Sequence, residues 1–93
     1  MKAYKHLVKY SLAKGCTVSV WDGEEWQVSR SSSYKAIVDA VESVDMAELS
    51  IRYQGEKVGW AMVSAYGLAD DETVIDYTET AFMKEWDCAC FTD

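Results

Sequence analysis

The chain has 93 residues, with 49% hydrophobic and 27% charged residues, three cysteines and a formal net charge of −7. This balance predicts one folded domain over residues 1–93 and excludes a disordered tail. The negative charge opposes direct binding to nucleic acid, and no apolar run approaches the ~20 residues that span a bilayer. Because the lysine-rich start lacks a signal-peptide pattern and the cysteine count is odd, we expect a cytoplasmic protein with reduced thiols.

Taken in chain order, apolar residues at helical spacing predict a first helix over residues 2–14. An alternating segment then predicts a β-hairpin. Since directly opposed residues share a face, a three-residue loop at 21–23 is favoured, and it pairs Val18 with Trp26. This register places Trp26 in the core and leaves Trp21 at the hairpin tip.

Serines at 31–33 supply N-cap oxygens for a second predicted helix over residues 34–44, whose outer face carries Asp39 and Glu42. A second hairpin follows, with the two-residue loop Gln54-Gly55. This loop pairs Leu49 with Trp60, so that Trp60 is also predicted to lie in the core.

A third helix is predicted over residues 73–86, with Glu72 in or beside its first turn. The order α-β-β-α-β-β-α indicates an α+β fold. We expect an antiparallel four-stranded sheet with helices mainly on one face.

Residues with catalytic or metal-binding chemistry do not form a recognisable pattern. His6 is the single histidine and has no nucleophile beside it in the sequence. Cys88 and Cys90 form one closely spaced pair, whereas structural zinc sites usually have two. The expectation is a non-enzymatic protein without cofactor or metal.

Carboxylates are the first candidates for a binding surface. On the predicted third helix, Glu72, Asp76 and Glu79 share one face at i, i+4 and i+7. Such a surface fits a basic groove on a protein partner, even one that normally binds DNA. The alternative is that the acidity serves solubility only. The candidate carboxylates are Asp39, Glu42, Asp70, Asp71, Glu72, Asp76 and Glu79.

Aromatic residues are the second candidates. Trp21 at the hairpin tip and Trp86 near the carboxyl end are predicted to be exposed contact residues, because exposed aromatics contribute strongly to interfaces. Exposed aromatics or a free sheet edge would suit a homodimer or an adaptor module that binds a protein partner.

In size, acidity and lack of motifs, the chain resembles, as a class, the small accessory proteins of phages and mobile elements. Some of these proteins inhibit host nucleic-acid-binding or defence proteins by imitating DNA. This resemblance implies inhibition by occupation of a site, without turnover or cofactor.

Overall fold

Five antiparallel strands form one sheet, in the order β2-β1-β3-β4-β5, in the computed structural model, which describes residues 1–91. The elements are α1 (Ala3–Ala13), β1 (Thr17–Trp21), β2 (Trp26–Ser31), α2 (Tyr34–Glu42), β3 (Ala47–Tyr53), β4 (Glu56–Val63), β5 (Val74–Tyr77) and α3 (Ala81–Phe91), with a 3₁₀ turn at Asp70–Glu72. The predicted α+β class is confirmed. The predicted four-stranded sheet is wrong, because a fifth strand precedes α3.

The core lies between one face of the sheet and the three helices. Val20, Leu49 and Ala61 stand side by side on β1, β3 and β4, and all three are fully buried. Each helix adds apolar side chains to the same cluster, which include Leu7 of α1 and Ile37 of α2. The helices therefore cover this face of the sheet, as predicted. Among residues 1–91, no helix has the length and hydrophobicity needed to cross a membrane.

The prediction of a helix from residue 73 is wrong, because the segment begins with three β-branched residues that favour extended backbone. Val74–Tyr77 instead pairs with β4, and the buried Thr73 accepts a hydrogen bond from the Tyr4 amide at 3.1 Å. Thr80 then caps α3, since its Oγ1 accepts from the Met83 amide at 3.3 Å.

The first hairpin has a four-residue loop at 22–25 where three residues were predicted. The Asp22 carboxylate accepts the amide hydrogens of Glu24 and Glu25, each at 2.8 Å, which stabilises the longer loop. Trp26 consequently pairs with Trp21, across a bulge, and not with Val18. The predicted burial of Trp26 is therefore wrong.

The second hairpin has the predicted loop at Gln54-Gly55, and Tyr53 pairs with Glu56. A bulge next to Lys57 then shifts the register, so that Leu49 opposes Ala61 and Trp60 opposes Ser50. Because side chains alternate between faces, this shift of one residue moves Trp60 to the face opposite the helices.

Candidate functional site

The sheet face opposite the helices carries three of the four tryptophans. Trp21, Glu48, Met62 and Asp76 form one row across β1, β3, β4 and β5, and Trp60 lies beside Ser50 in the next row. Trp26 packs edge-on against Trp21, with 5.0 Å between ring centroids, and is 52% exposed. One exposed and two partly exposed indoles on one side of a small sheet mark this face as a candidate binding surface.

The three tryptophans border a depression of about 370 Å³. Its lining residues are Trp21, Trp26, Glu48, Ser50, Lys57 and Trp60, and we call this surface the tryptophan face. Trp60 Nε1 donates to Glu48 Oε1 at 2.9 Å, which orients the indole and the carboxylate together. The result is a shallow aromatic site with one carboxylate in its wall.

Further carboxylates border the end of this face at which β1 ends. Asp22, Glu24 and Glu25 occupy the loop between Trp21 and Trp26, and Asp76 stands beside Met62 on the last strand. The backbone amides of Glu25 and Glu24, together with the Gln27 side chain, lower the pKa of Asp22. The Asp22 carboxylate therefore remains negative at and below neutral pH.

Cations occupy the opposite end of the same face. Arg52 pairs with Thr17 of β1 on one side and with Lys57 of β4 on the other. It lies four residues after Glu48 along β3. The Arg52 guanidinium donates to the Gly55 carbonyl at 3.3 Å. The tryptophan face is thus polarised along the strands, from anionic beside Trp21 to cationic beside Lys57.

Asp39 and Glu42, two of the predicted contact residues, lie on α2 and have cationic partners. Asp39 pairs with Lys35 at 2.6 Å, and Glu42 lies 3.7 Å from Lys5. Because α2 covers the other side of the sheet, the structure does not bring these two carboxylates to the tryptophan face.

The carboxylates predicted on the third helix do not share a face. Glu72 lies with Asp70 and Asp71 in the exposed 3₁₀ turn before β5, Asp76 is on β5, and Glu79 is in the connection to α3. The helical spacing on which this prediction depended is absent, because the intervening residues are extended. Of the group, Asp76 alone stands in the row of Trp21 and Glu48.

The predicted exposure of Trp86 is wrong, since this residue of α3 turns its side chain into the core, where it is fully buried. Its Nε1 donates to His6 Nδ1 at 3.1 Å, so the partly buried histidine acts as a hydrogen-bond acceptor within the fold. Trp21 does lie on the candidate surface. The sequence analysis missed Trp26 and Trp60 there. For Trp60, the available signal was its neighbours Gly59 and Ala61, because a position without a side chain and one with a small side chain allow a helix to pack against their face of β4.

Metal-binding side chains do not converge in the described part of the chain. Among residues 1–91, no three His, Cys, Asp or Glu side chains form a group able to hold a metal ion. Burial raises the pKa of the Cys16 and Cys90 thiols, which reduces their reactivity.

Comparisons with family models, curated proteins and solved structures found no match to this chain. The candidate site is therefore defined by its own geometry alone.

Proposed function

We propose that this protein is a non-enzymatic binding domain that docks a protein partner against the tryptophan face. The observation that carries this proposal is the clustering of Trp21, Trp26 and Trp60 around one depression on the sheet face that the helices leave open, with Trp26 exposed and the other two partly exposed. Tryptophan is enriched among the residues that dominate binding energy in protein interfaces.

The packing of the fold supports this reading. An indole buries about 150–250 Å² when it is covered, and each Å² of apolar surface removed from water contributes about 25 cal/mol. Trp86 gains this stabilisation inside the core, whereas Trp26 remains half in water. A partner that covers the tryptophan face would recover the free energy that folding alone leaves unused.

A photo-reactive aromatic amino acid at position 26, which keeps a large ring in the place of the Trp26 indole, tests the proposal in cells that naturally express the protein. Position 68 serves as the matched control, because Leu68 is also exposed but lies between β4 and β5, outside the tryptophan face. We expect crosslinks from position 26, and not from position 68, to residues of another protein. Crosslinks from position 26 to nucleic acid alone, or none above those of position 68, would contradict the proposal.

A second candidate function is inhibition of a host nucleic-acid-binding or defence protein through an anionic, DNA-like surface. It is favoured by unpaired carboxylates at the strand ends that meet beyond Trp21: those of residues 22–25, Asp45 and the 3₁₀ turn. Among residues 1–91, the two ion pairs within 4.0 Å involve other carboxylates, Asp39 and Glu42. These exposed charges could steer the protein into a basic groove.

Salt dependence separates the two functions once a crosslinked partner is known. A contact made by indoles with at most one charge pair should weaken only about fivefold between 50 and 500 mM NaCl, whereas a contact made by many carboxylates should weaken by well over an order of magnitude. Amidation of Asp70, Asp71 and Glu72 should abolish the second mode and spare the first. Trp26→Ala should do the reverse.

A further inference from the structure

We propose that the tryptophan face recognises a cationic side chain of its partner, an arginine or a lysine, held between the indoles and the Glu48 carboxylate. This inference rests on the proposed function, because it specifies the chemistry of the partner's contact residue. It makes a separate claim, since a partner could equally present an apolar anchor to the same surface.

The arrangement of groups around the depression fits an organic cation. Trp21, Trp26 and Trp60 all contribute to its walls, and the faces of indole rings attract ammonium and guanidinium groups. Glu48 Oε1 accepts from Trp60, and the carboxylate retains acceptor capacity at its second oxygen for a charged contact. Aromatic walls with one carboxylate therefore offer both stacking and charge pairing.

The charges around this site favour a cation in the half that includes Trp21. Glu48, Asp22, Glu24, Glu25 and Asp76 surround that half, and the two ion pairs of residues 1–91 involve none of them. Lys57 is the one cation that lines the depression, from the opposite side. Lys57 should repel an incoming cation, so removal of its charge tests whether the bound group is positive.

The volume of the depression also suits a long cationic side chain. A space of about 370 Å³ accommodates a planar guanidinium together with part of its aliphatic stem. The stem would lie along the indole rings that line the depression.

Titration with blocked tripeptides tests the inference on the full chain. The probes are acetyl-Gly-Arg-Gly-amide and its neutral isostere with citrulline in place of arginine, followed by the indole N–H resonances of the tryptophans. We expect saturable shifts of the Trp26 and Trp60 signals with a millimolar dissociation constant for the arginine peptide. The citrulline peptide should bind at least about fivefold more weakly.

Three variants make the charge argument specific. Glu48→Gln keeps an oxygen acceptor for Trp60 Nε1 and removes the charge, and it should weaken arginine binding about fivefold. Lys57→Gln should strengthen binding about twofold, because it removes the like charge. Glu72→Gln is the matched control, because Glu72 is exposed in the 3₁₀ turn, outside the tryptophan face. It should leave the affinity for the arginine peptide unchanged.

Equal affinity for the arginine and citrulline peptides, or equal affinity of the wild-type and Glu48→Gln proteins, would overturn the inference. Neither result would contradict the proposed binding function, because the crosslinking experiment at position 26 tests that function without depending on charge. Protein crosslinks together with equal peptide affinities would mean that the face binds an uncharged anchor. Absence of protein crosslinks would overturn the proposed function itself.

Discussion

At the residue scale, the hydroxyl of Tyr4 links the first two helices. The side chain is fully buried, and its hydroxyl donates to Glu42 Oε2 at 2.7 Å. Burial, followed by the hydrogen bond to the Glu42 carboxylate, raises the pKa of Tyr4 well above its ordinary value. Tyr4 therefore stays protonated in the folded protein under conditions in which it ionises in the unfolded chain.

This shift predicts a loss of stability at alkaline pH. A raised pKa in the folded state contributes stability below the unfolded pKa, about 10 for tyrosine, and that contribution declines as the pH rises further. The difference in free energy of unfolding between the wild type and Tyr4→Phe should thus shrink from pH 9 to pH 11 in urea titrations. Tyr53→Phe, at an exposed position, is the control. A difference that stays constant with pH would contradict the assignment.

Ser11 gives a prediction of opposite sign, because its buried Oγ has no hydrogen-bond partner in the described residues. An unsatisfied buried hydroxyl costs about 1–3 kcal/mol, and alanine is also the better helix former. Ser11→Ala should therefore raise the free energy of unfolding by about 1 kcal/mol, or Tm by about 5 °C.

Ser33 is the matched comparison for Ser11. Its Oγ accepts from the Ala36 amide at 3.2 Å and caps α2, so Ser33→Ala should lower stability by about 1 kcal/mol. If thermal unfolding shows that both serines stabilise the protein equally, the account of Ser11 fails.

At the element scale, the packing of α3 on β4 depends on Gly59. A Cβ at this position would lie 2.6 Å from Met83 Sδ and 2.8 Å from Met83 Cγ. Because Met83 is fully buried, its side chain has little room to move away. The absence of a side chain at residue 59 is what permits this close approach.

Gly59→Ala should accordingly destabilise the protein by about 1–3 kcal/mol through overpacking. In the double variant Gly59→Ala/Met83→Ala, the new methyl group occupies space that the truncated methionine vacates. The combined loss should then be smaller than the sum of the two single losses by at least about 0.5 kcal/mol in urea unfolding. Additive losses would show that the two residues do not compete for space.

The sequence predicted those elements whose pattern is local and missed those that depend on pairing. Periodicity was sufficient for α1 and α2, and alternation predicted the existence of two hairpins, but the parity argument gave the wrong facing pairs in both. Bulges in both hairpins, however, reversed the facing of Trp26 and Trp60. Strand β5 forms because residues 74–77 pair with the free edge of β4. The local sequence of this short segment does not show that such an edge is available.

The candidate site was harder to predict than the fold for the same reason. Trp21, from the predicted set, is on the tryptophan face, but its neighbours there come from strands whose register decides which side chains point outward. A slip of one residue exchanges core and surface, so Trp26 and Trp60 were assigned to the core although they lie on the opposite face of the sheet. Trp86 shows the converse: it was predicted to be exposed near the carboxyl end, but it lies inside α3, which continues to Phe91 and turns this indole into the core.

At the scale of the whole molecule, loops from distant parts of the sequence bring carboxylates to one end of the sheet. β1 ends at Trp21, β3 begins at Ala47 and β4 ends at Val63, and these strand ends are adjacent. The anions of the 22–25 loop therefore join Asp45 and Glu48, although the loop belongs to residues 1–35, in which six cations outnumber three anions. Folding, and not sequence position, determines the charge pattern.

The uneven distribution of charge on the sheet can be detected by fluorescence quenching without a binding partner. Exposed carboxylates beside Trp21 and Trp26 should raise the local concentration of cations and lower that of anions. Relative to free N-acetyl-tryptophanamide, caesium should therefore quench the tryptophan fluorescence at least about twofold more efficiently than iodide at low ionic strength. Added NaCl should reduce this preference, because the Debye length falls to about 10 Å at 0.1 M.

Charge reversal at Glu24 and Glu25 isolates the contribution of the loop. Both residues are exposed, and the Asp22 carboxylate that holds the loop accepts hydrogen bonds from their backbone amides and not from their side chains. Glu24→Lys/Glu25→Lys should thus keep the loop and shift the quenching preference from caesium toward iodide. The same charge reversal at Asp70 and Asp71 should change the quenching preference less, because the 3₁₀ turn lies beyond β4. Equal responses would mean that the potential at the indoles reflects net charge and not the neighbouring loop.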